Sequence, residues 1–107
     1  MNDKRTFPRR RKRLLVEISA EGRTATGFTW DLSHTGLFVS SAYVPRLGEK
    51  IDVVLHLPGG KKVACGGTVV RVRRLPAALV EGEANNGFSL ALGGYFEDYA
   101  RFLSELR

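Results

Sequence analysis

Residues 13–31 read RLLVEISAEGRTATGFTWD and decide the fold, because they hold two strand patterns separated by one tight turn. The even positions from 14 to 18 are apolar and alternate with mostly polar ones, a period of two that is typical of a strand with one buried face. Glu21-Gly22 indicates a turn, and the threonines and aromatic residues of 23–31 favour a returning strand. The stretch therefore predicts an antiparallel hairpin.

The rest of the chain continues as short strands. Apolar runs bounded by Gly and Pro predict further strands at 37–41, 51–57, 63–74 and 88–92. Within 63–74 the apolar positions change from odd to even numbers, and we interpret Gly66-Gly67 as a β-bulge that bends the strand at this point. About five to seven short strands at this spacing predict a small antiparallel barrel.

The C-terminal stretch changes to a helical period. Its apolar residues recur every three or four positions, with acidic residues early and basic residues late, which suits the helix dipole. They are Tyr95, Phe96, Tyr99, Phe102, Leu103 and Leu106. We predict a helix over 95–107 that packs on the barrel, within a single domain over 13–107.

The composition excludes several classes of protein. A chain of 107 residues, 43% of them hydrophobic, suits one globular domain and is too short for a multidomain enzyme. One cysteine and two histidines exclude an intrachain disulfide and a structural zinc set, so we expect Cys65 to be a small buried hydrophobe. Without an apolar segment long enough for a signal peptide or a membrane span, we expect a cytoplasmic protein that does not insert into membranes.

The charge is concentrated at one end. The chain holds 17 Lys plus Arg against 11 Asp plus Glu, a net charge of +6, and the first 13 residues contain seven basic residues and one acidic residue. We therefore predict a flexible basic arm over 1–12. Such an arm implies an anionic partner, which the charge alone leaves open as a nucleic acid, an anionic lipid surface or a small phosphorylated ligand.

Two short motifs flank the hairpin. Arg9 and Arg13 form an Arg-x-x-x-Arg pair, and the loop DLSHTG at 31–36 supplies a carboxylate, a hydroxyl group and a glycine that can adopt a left-handed backbone. If the tight turn closes the hairpin, Arg13 lies opposite Trp30 or Asp31. Both motifs then emerge at the same end of the barrel.

These residue types fit a ligand that carries phosphates and a purine. Arginine can engage phosphate oxygens or the O6 and N7 acceptors of guanine with two parallel hydrogen bonds, and it can stack on a base. The carboxylate of Asp31 can accept from the adjacent N1–H and N2 amine of guanine, a pair of donors that adenine lacks. Ser33 can add a hydroxyl contact, and Gly36 can let the loop turn tightly.

At these residues the sequence resembles the PilZ domain family, bacterial receptors for cyclic di-GMP. The resemblance continues through LGEKIDVVLHL, GTVVRV, GFSLAL and the closing helix, so it covers nearly the whole chain. It implies a six-stranded antiparallel barrel with a C-terminal helix, and a non-catalytic single-domain adaptor that binds cyclic di-GMP, needs no other cofactor and acts on an unidentified downstream protein. It also places Arg71 where some relatives stack a side chain on a base. The predicted ligand-binding residues are Arg9, Arg10, Arg13, Asp31, Ser33, Gly36 and Arg71.

Three other functions are compatible with parts of the sequence. Asp31, Ser33 and His34 have the residue types of a catalytic triad, but neighbours in one short loop cannot adopt its geometry, so we predict no enzyme. A small barrel that binds RNA or DNA through the arm is the main alternative, and the small number of aromatic residues outside the predicted core argues against it. The third is a divergent PilZ domain that binds only proteins.

Overall fold

Six antiparallel strands close into a barrel, and one helix packs against it. The computed structural model describes residues 10–75 and 86–106, with the backbone alone for Arg10 and Arg11. The elements are β1 Arg10–Arg11, β2 Leu15–Ala20, β3 Arg23–Leu32, β4 Gly36–Ser40, β5 Lys50–His56, β6 Lys62–Arg73, β7 Gly87–Leu92 and α1 Glu97–Glu105. Pairing runs β2-β5-β6-β7-β4-β3 and returns to β2, which confirms the predicted six-stranded barrel with a C-terminal helix. The two-residue strand β1 pairs with β3 beyond the end of β2.

The predicted hairpin forms because alternation and turn chemistry agree. The even-numbered side chains from Leu14 to Ala20 are buried in the core, and the odd-numbered ones are exposed. Glu21 and Gly22 both have positive φ, 51° and 79°, as a two-residue turn between twisted strands requires. Leu15 pairs with Phe28 and Ala20 with Arg23, so the register of β2 on β3 is the predicted one.

The bulge predicted at Gly66-Gly67 lies elsewhere. Pairing of β6 with β5 runs without interruption from Lys62 to Thr68, and the register shifts instead between Val69 and Arg71, against β7. Gly67 serves close packing, because a Cβ there would overlap the carbonyl oxygen of Ala91 on β7. The prediction was therefore right about an irregularity in this strand and wrong about its position.

The helix α1 is shorter than the predicted 95–107. It begins at Glu97, and Tyr95, which we predicted to face the core, is 80% exposed because it precedes the first helical turn. Tyr99 and Leu103 are buried, and three half-buried residues pack beside them: Phe96, Phe102 and Leu106. Within the described ranges, no helix is long and apolar enough to cross a membrane.

Of the predicted arm at 1–12, residues 1–9 lie outside the described residues. Arg10 and Arg11 form β1. The predicted boundary between a flexible arm and the barrel stays a prediction.

Candidate ligand-binding site

A row of paired residues crosses five neighbouring strands, and its members from β3 to β6 lie on the outer face of the barrel. Arg11 of β1 pairs with Asp31 of β3, which pairs with Phe38 of β4. Phe38 pairs in turn with Ser89 of β7, and Ser89 pairs with Arg71 of β6. The sheet thus aligns a carboxylate, an aromatic ring, a hydroxyl group and an arginine. In the sequence, Asp31 and Ser89 are 58 positions apart.

A register shift in β3 turns two successive side chains outward. Neighbours in a regular strand face opposite sides of the sheet. Thr29 and Leu32 are buried, whereas Trp30 and Asp31 between them are both half-exposed, and the pairing of β3 with β4 shifts at this point. Bulges that redirect side chains in this way are frequent beside binding sites.

The bulge in β6 has the same effect on the facing side of the row. Val69 is buried and Val72 is half-buried, whereas Val70 and Arg71 between them are both exposed. The shift lies between Val69 and Arg71 against β7. Two bulges therefore bring Asp31 and Arg71 onto the same outer surface.

A cavity of about 320 Å³ occupies this surface, within the usual range for small-ligand sites. Its lining is Trp30, Asp31, Phe38, Arg71, Arg73 and Ser89. The guanidinium carbon of Arg73 is 5.6 Å from the centroid of the Phe38 ring, within cation–π distance. The walls therefore offer flat surfaces for a base, an acceptor for N–H donors and two cations for phosphate.

The segment that leads into β2 departs from the predicted register. Arg13 was predicted opposite Trp30 or Asp31, but Arg11 pairs with Asp31, and the N–H of Lys12 donates to the carbonyl of Trp30 over 3.3 Å. The cause is Thr29, which sequence reasoning missed. Its hydroxyl accepts from the N–H of Leu14 at 2.8 Å and donates to the carbonyl of Lys12 at 2.5 Å, so the side chain takes over backbone bonds of β3 at the point where its partner changes from β2 to β1.

Arg13 consequently lies on the outer face beside the row. Its guanidinium carbon is 3.9 Å from the centroid of the Phe28 ring, a close cation–π contact on an exposed aromatic side chain. Phe28 is on β3, two residues before Trp30 of the cavity lining. The stacked guanidinium is therefore held near the cavity without occupying it.

The loop at 33–36 is closed by hydrogen bonds that converge on one carbonyl. Ser33 is 4% exposed, and both its N–H (2.8 Å) and its hydroxyl (3.1 Å) donate to the carbonyl oxygen of Gly36. Gly36 does not have the left-handed backbone that we considered, since its φ is not positive. It is needed because a Cβ would overlap the carbonyl oxygen of Leu90 on β7.

The structure brings some of the predicted ligand residues together. Asp31 and Arg71 line one cavity, and Arg13 lies nearby. Ser33 and Gly36 shape the loop that follows β3, and the backbone of Arg10 pairs with Leu32. Arg9 lies outside the described residues.

Sequence reasoning missed four residues of the cavity: Trp30, Phe38, Arg73 and Ser89. Phe38 alternates with the buried Leu37 and Val39, a pattern that places it on the outer face and was available in the sequence. Trp30 lies two residues after the exposed Phe28 and shares its outer face, but nothing in the sequence indicates that a bulge brings Asp31 to the same face.

A larger cavity of about 530 Å³ lies over β5 and β6 beside Phe96, and its lining includes none of the predicted ligand residues. Cys65 borders it and is buried as predicted. Burial, and secondarily the carboxylate of Asp52, raise the pKa of this thiol from 9.0 to about 12, so it stays protonated at neutral pH. Among the described residues, no group of three or more His, Cys, Asp or Glu side chains could hold a metal ion.

The sequence pattern of the family described as PilZ domain matches residues 3–85. Among solved structures, the Bacillus subtilis inhibitor of motility, MotI/DgrA, superposes with a TM-score of 0.72 at 17% identity, over 98% of this chain and 54% of that one. The PilZ domain of YcgR from Escherichia coli, solved with c-di-GMP, superposes with a TM-score of 0.72 at 12% identity, over 95% of this chain and 87% of that one. The chain thus spans about half the length of MotI/DgrA. No curated protein matches the sequence.

Proposed function

The chain belongs to the PilZ domain family, and from this premise we propose that it is a non-catalytic receptor for cyclic di-GMP that acts as an adaptor. The YcgR domain, of the same fold, was solved with this ligand. We further propose that the ligand occupies the outer-face cavity and that the basic segment before β2 closes over it.

One observation carries the proposal. Asp31, an acceptor suited to guanine, shares a cavity with Arg71 and two aromatic rings, and β1, with its two arginines, pairs directly with the strand that bears Asp31. A guanine base and a phosphate need these partners within one short span. The row across the sheet supplies partners for the base and for the phosphate.

Each side chain has a defined role in this proposal. Asp31 accepts from the N1–H and N2 amine of guanine. Arg71 stacks on a base or binds its O6 and N7 edge. Arg9, Arg10 and Arg13 bind the phosphates, and Ser33 and Gly36 hold the loop beside the ligand.

The adaptor role follows from where the ligand would bind. A dinucleotide on the outer face neutralises part of the basic segment and changes the shape of one end of the barrel. A downstream protein can recognise that change without any catalytic step by this chain.

The test is calorimetric titration of the protein with cyclic di-GMP, cyclic di-AMP, GMP and a short oligonucleotide. We expect cyclic di-GMP to bind most tightly. Asp31→Ala should weaken it by about tenfold to a hundredfold, because hydrogen bonds to a charged group contribute about 1.5–3 kcal/mol.

Asp52→Ala is the matched control, since Asp52 is an exposed carboxylate on β5 outside the candidate site. It should leave the affinity unchanged. Equal binding of both cyclic dinucleotides would show that only phosphates are recognised, and preference for the oligonucleotide would contradict the proposed function.

A further inference from the structure

The C-terminal helix is joined to the motif loop by one buried side chain. Tyr99 of α1 is 2% exposed, and its hydroxyl donates to the carbonyl oxygen of Ser33 over 2.7 Å. The same hydroxyl lies 3.5 Å from the carbonyl oxygen of Gly36. The phenol thus reaches the two ends of the loop that follows Asp31 and Leu32.

Other hydrogen bonds of the loop come from the loop itself and from β7. Its internal bonds run from Ser33 to the carbonyl of Gly36, and its middle is held by the N–H of Leu92, which donates to the carbonyl of Thr35 over 2.9 Å. Together with the pairing of Gly36 with Ala91 on β7, this bond and the hydroxyl of Tyr99 hold the loop against the rest of the fold.

The helix in turn depends on its contacts with the barrel. It has nine residues, and its N-cap, Phe96, offers no side-chain hydrogen bond to the first turn. Isolated helices of this length are unstable in water, so α1 is held by tertiary packing. Any change in how Tyr99 is held by the loop will therefore change the stability of α1.

We propose that Tyr99 is a positioning residue that couples the ligand-binding loop to α1, so that cyclic di-GMP binding is read out as increased stability of this helix. This inference rests on the proposed function. Coupling between two sites is reciprocal: if the ligand fixes the loop and so stabilises α1, an intact α1 must favour the ligand by the same factor. This coupling makes the order of α1, and so of its outer surface, depend on whether the ligand is bound.

The first test compares Tyr99→Phe with Tyr95→Phe by calorimetric titration with cyclic di-GMP, at a temperature where both variants are folded. Tyr99→Phe keeps the buried ring and removes the one hydroxyl, and Tyr95→Phe makes the same change at an exposed position just before α1. We expect Tyr99→Phe to weaken binding by about two- to tenfold, the equivalent of one net hydrogen bond. Tyr95→Phe should leave it unchanged.

The second test measures amide exchange of residues 97–105 with and without saturating cyclic di-GMP. We expect the ligand to slow exchange in α1 of the unaltered protein and to lose this effect in Tyr99→Phe. If the hydroxyl merely stabilised the fold, its removal in Tyr99→Phe would raise exchange in α1 equally with and without ligand.

The outcomes separate the two claims. Failure of the unaltered protein to bind cyclic di-GMP would overturn the proposed function, and the coupling with it. Binding that leaves exchange in α1 unchanged, or an equal ligand effect on α1 in Tyr99→Phe, would overturn the coupling and leave the receptor function standing. The exchange measurement on the unaltered protein decides this even if Tyr99→Phe does not fold.

Discussion

Thr29 shows how one side chain can reshape a binding edge. In a regular hairpin its position would only contribute to the core, but its hydroxyl bonds Leu14 and Lys12 and so separates β1 from β2. The separation sets Arg11 opposite Asp31 and turns Arg13 out towards Phe28. The backbone position of Arg11 and the place of the motif residue Arg13 are therefore fixed by a residue outside either motif.

We predict that Thr29→Val destabilises the protein by about 1–3 kcal/mol, because the isosteric change leaves the N–H of Leu14 and the carbonyl of Lys12 without this partner. Denaturant unfolding measures the loss. Thr24→Val, an exposed position on the same strand, is the control and should change the stability little. Equal stability of both variants would mean that the hydroxyl does not hold the separation.

A substitution of Arg13 tests whether its stacked guanidinium group binds the ligand. We predict that Arg13→Ala weakens cyclic di-GMP binding by about tenfold to a hundredfold, through loss of charge-assisted hydrogen bonds to phosphate. The fold should be kept, because Arg13 is exposed and lies outside the ladder. Arg23→Ala, which removes an exposed arginine at the far end of β3, is the matched control, and similar affinities for both variants would remove Arg13 from the site.

At the scale of the elements, barrel closure depends on close approach between β6 and β7. A Cβ at Gly67 would overlap the carbonyl oxygen of Ala91, which is backbone and cannot move aside. We predict that Gly67→Ala lowers the free energy of unfolding by more than about 1 kcal/mol, since the ladder beside the candidate site must shift.

Gly94→Ala provides the comparison, because nothing lies within 4 Å of a Cβ at that position. Thermal unfolding of the two variants should differ clearly, with Gly94→Ala near the unaltered protein. If Gly67→Ala is as stable as Gly94→Ala, β6 and β7 move apart more easily than the overlap with Ala91 indicates.

The hairpin and the barrel could be predicted because their causes are local. Alternating apolar residues from Leu14 to Ala20 define which face is buried, and a two-residue turn fixes the register. The bulge in β6 could not be placed, because Val70 and Val72 are equally apolar, and only packing against β7 decides that Val70 faces outward.

The same limit applies to the site. The carboxylate, the arginines and the loop residues could be chosen from their chemistry, but their alignment depends on two bulges and on the hydroxyl of Thr29. Arg73 was missed because tertiary register, and not sequence spacing, places it beside Asp31.

At the scale of the whole molecule, the net charge of +6 makes anions in general favourable partners, so charge alone does not separate a dinucleotide from a nucleic acid. Because the strands form a closed ring, a partner is recognised on the outer surface of the barrel. There, the described cavity of about 320 Å³ is a bounded site between β3 and β6, which suits a small ligand better than an extended strand.

Salt dependence distinguishes the two partners. Each phosphate contacted on a single-stranded nucleic acid contributes about −0.7 to the slope of log affinity against log salt, because condensed counterions are released. The first 13 residues hold seven basic residues, so an oligonucleotide that contacted four of them would give a slope of about −3.

Cyclic di-GMP has two phosphates and no condensed ion atmosphere, and we predict a slope shallower than about −1.5 for it. Titrations between about 50 and 200 mM salt, within the range where such slopes are measured, check this. A steep slope together with tighter binding of the oligonucleotide would identify the barrel as a nucleic-acid binder.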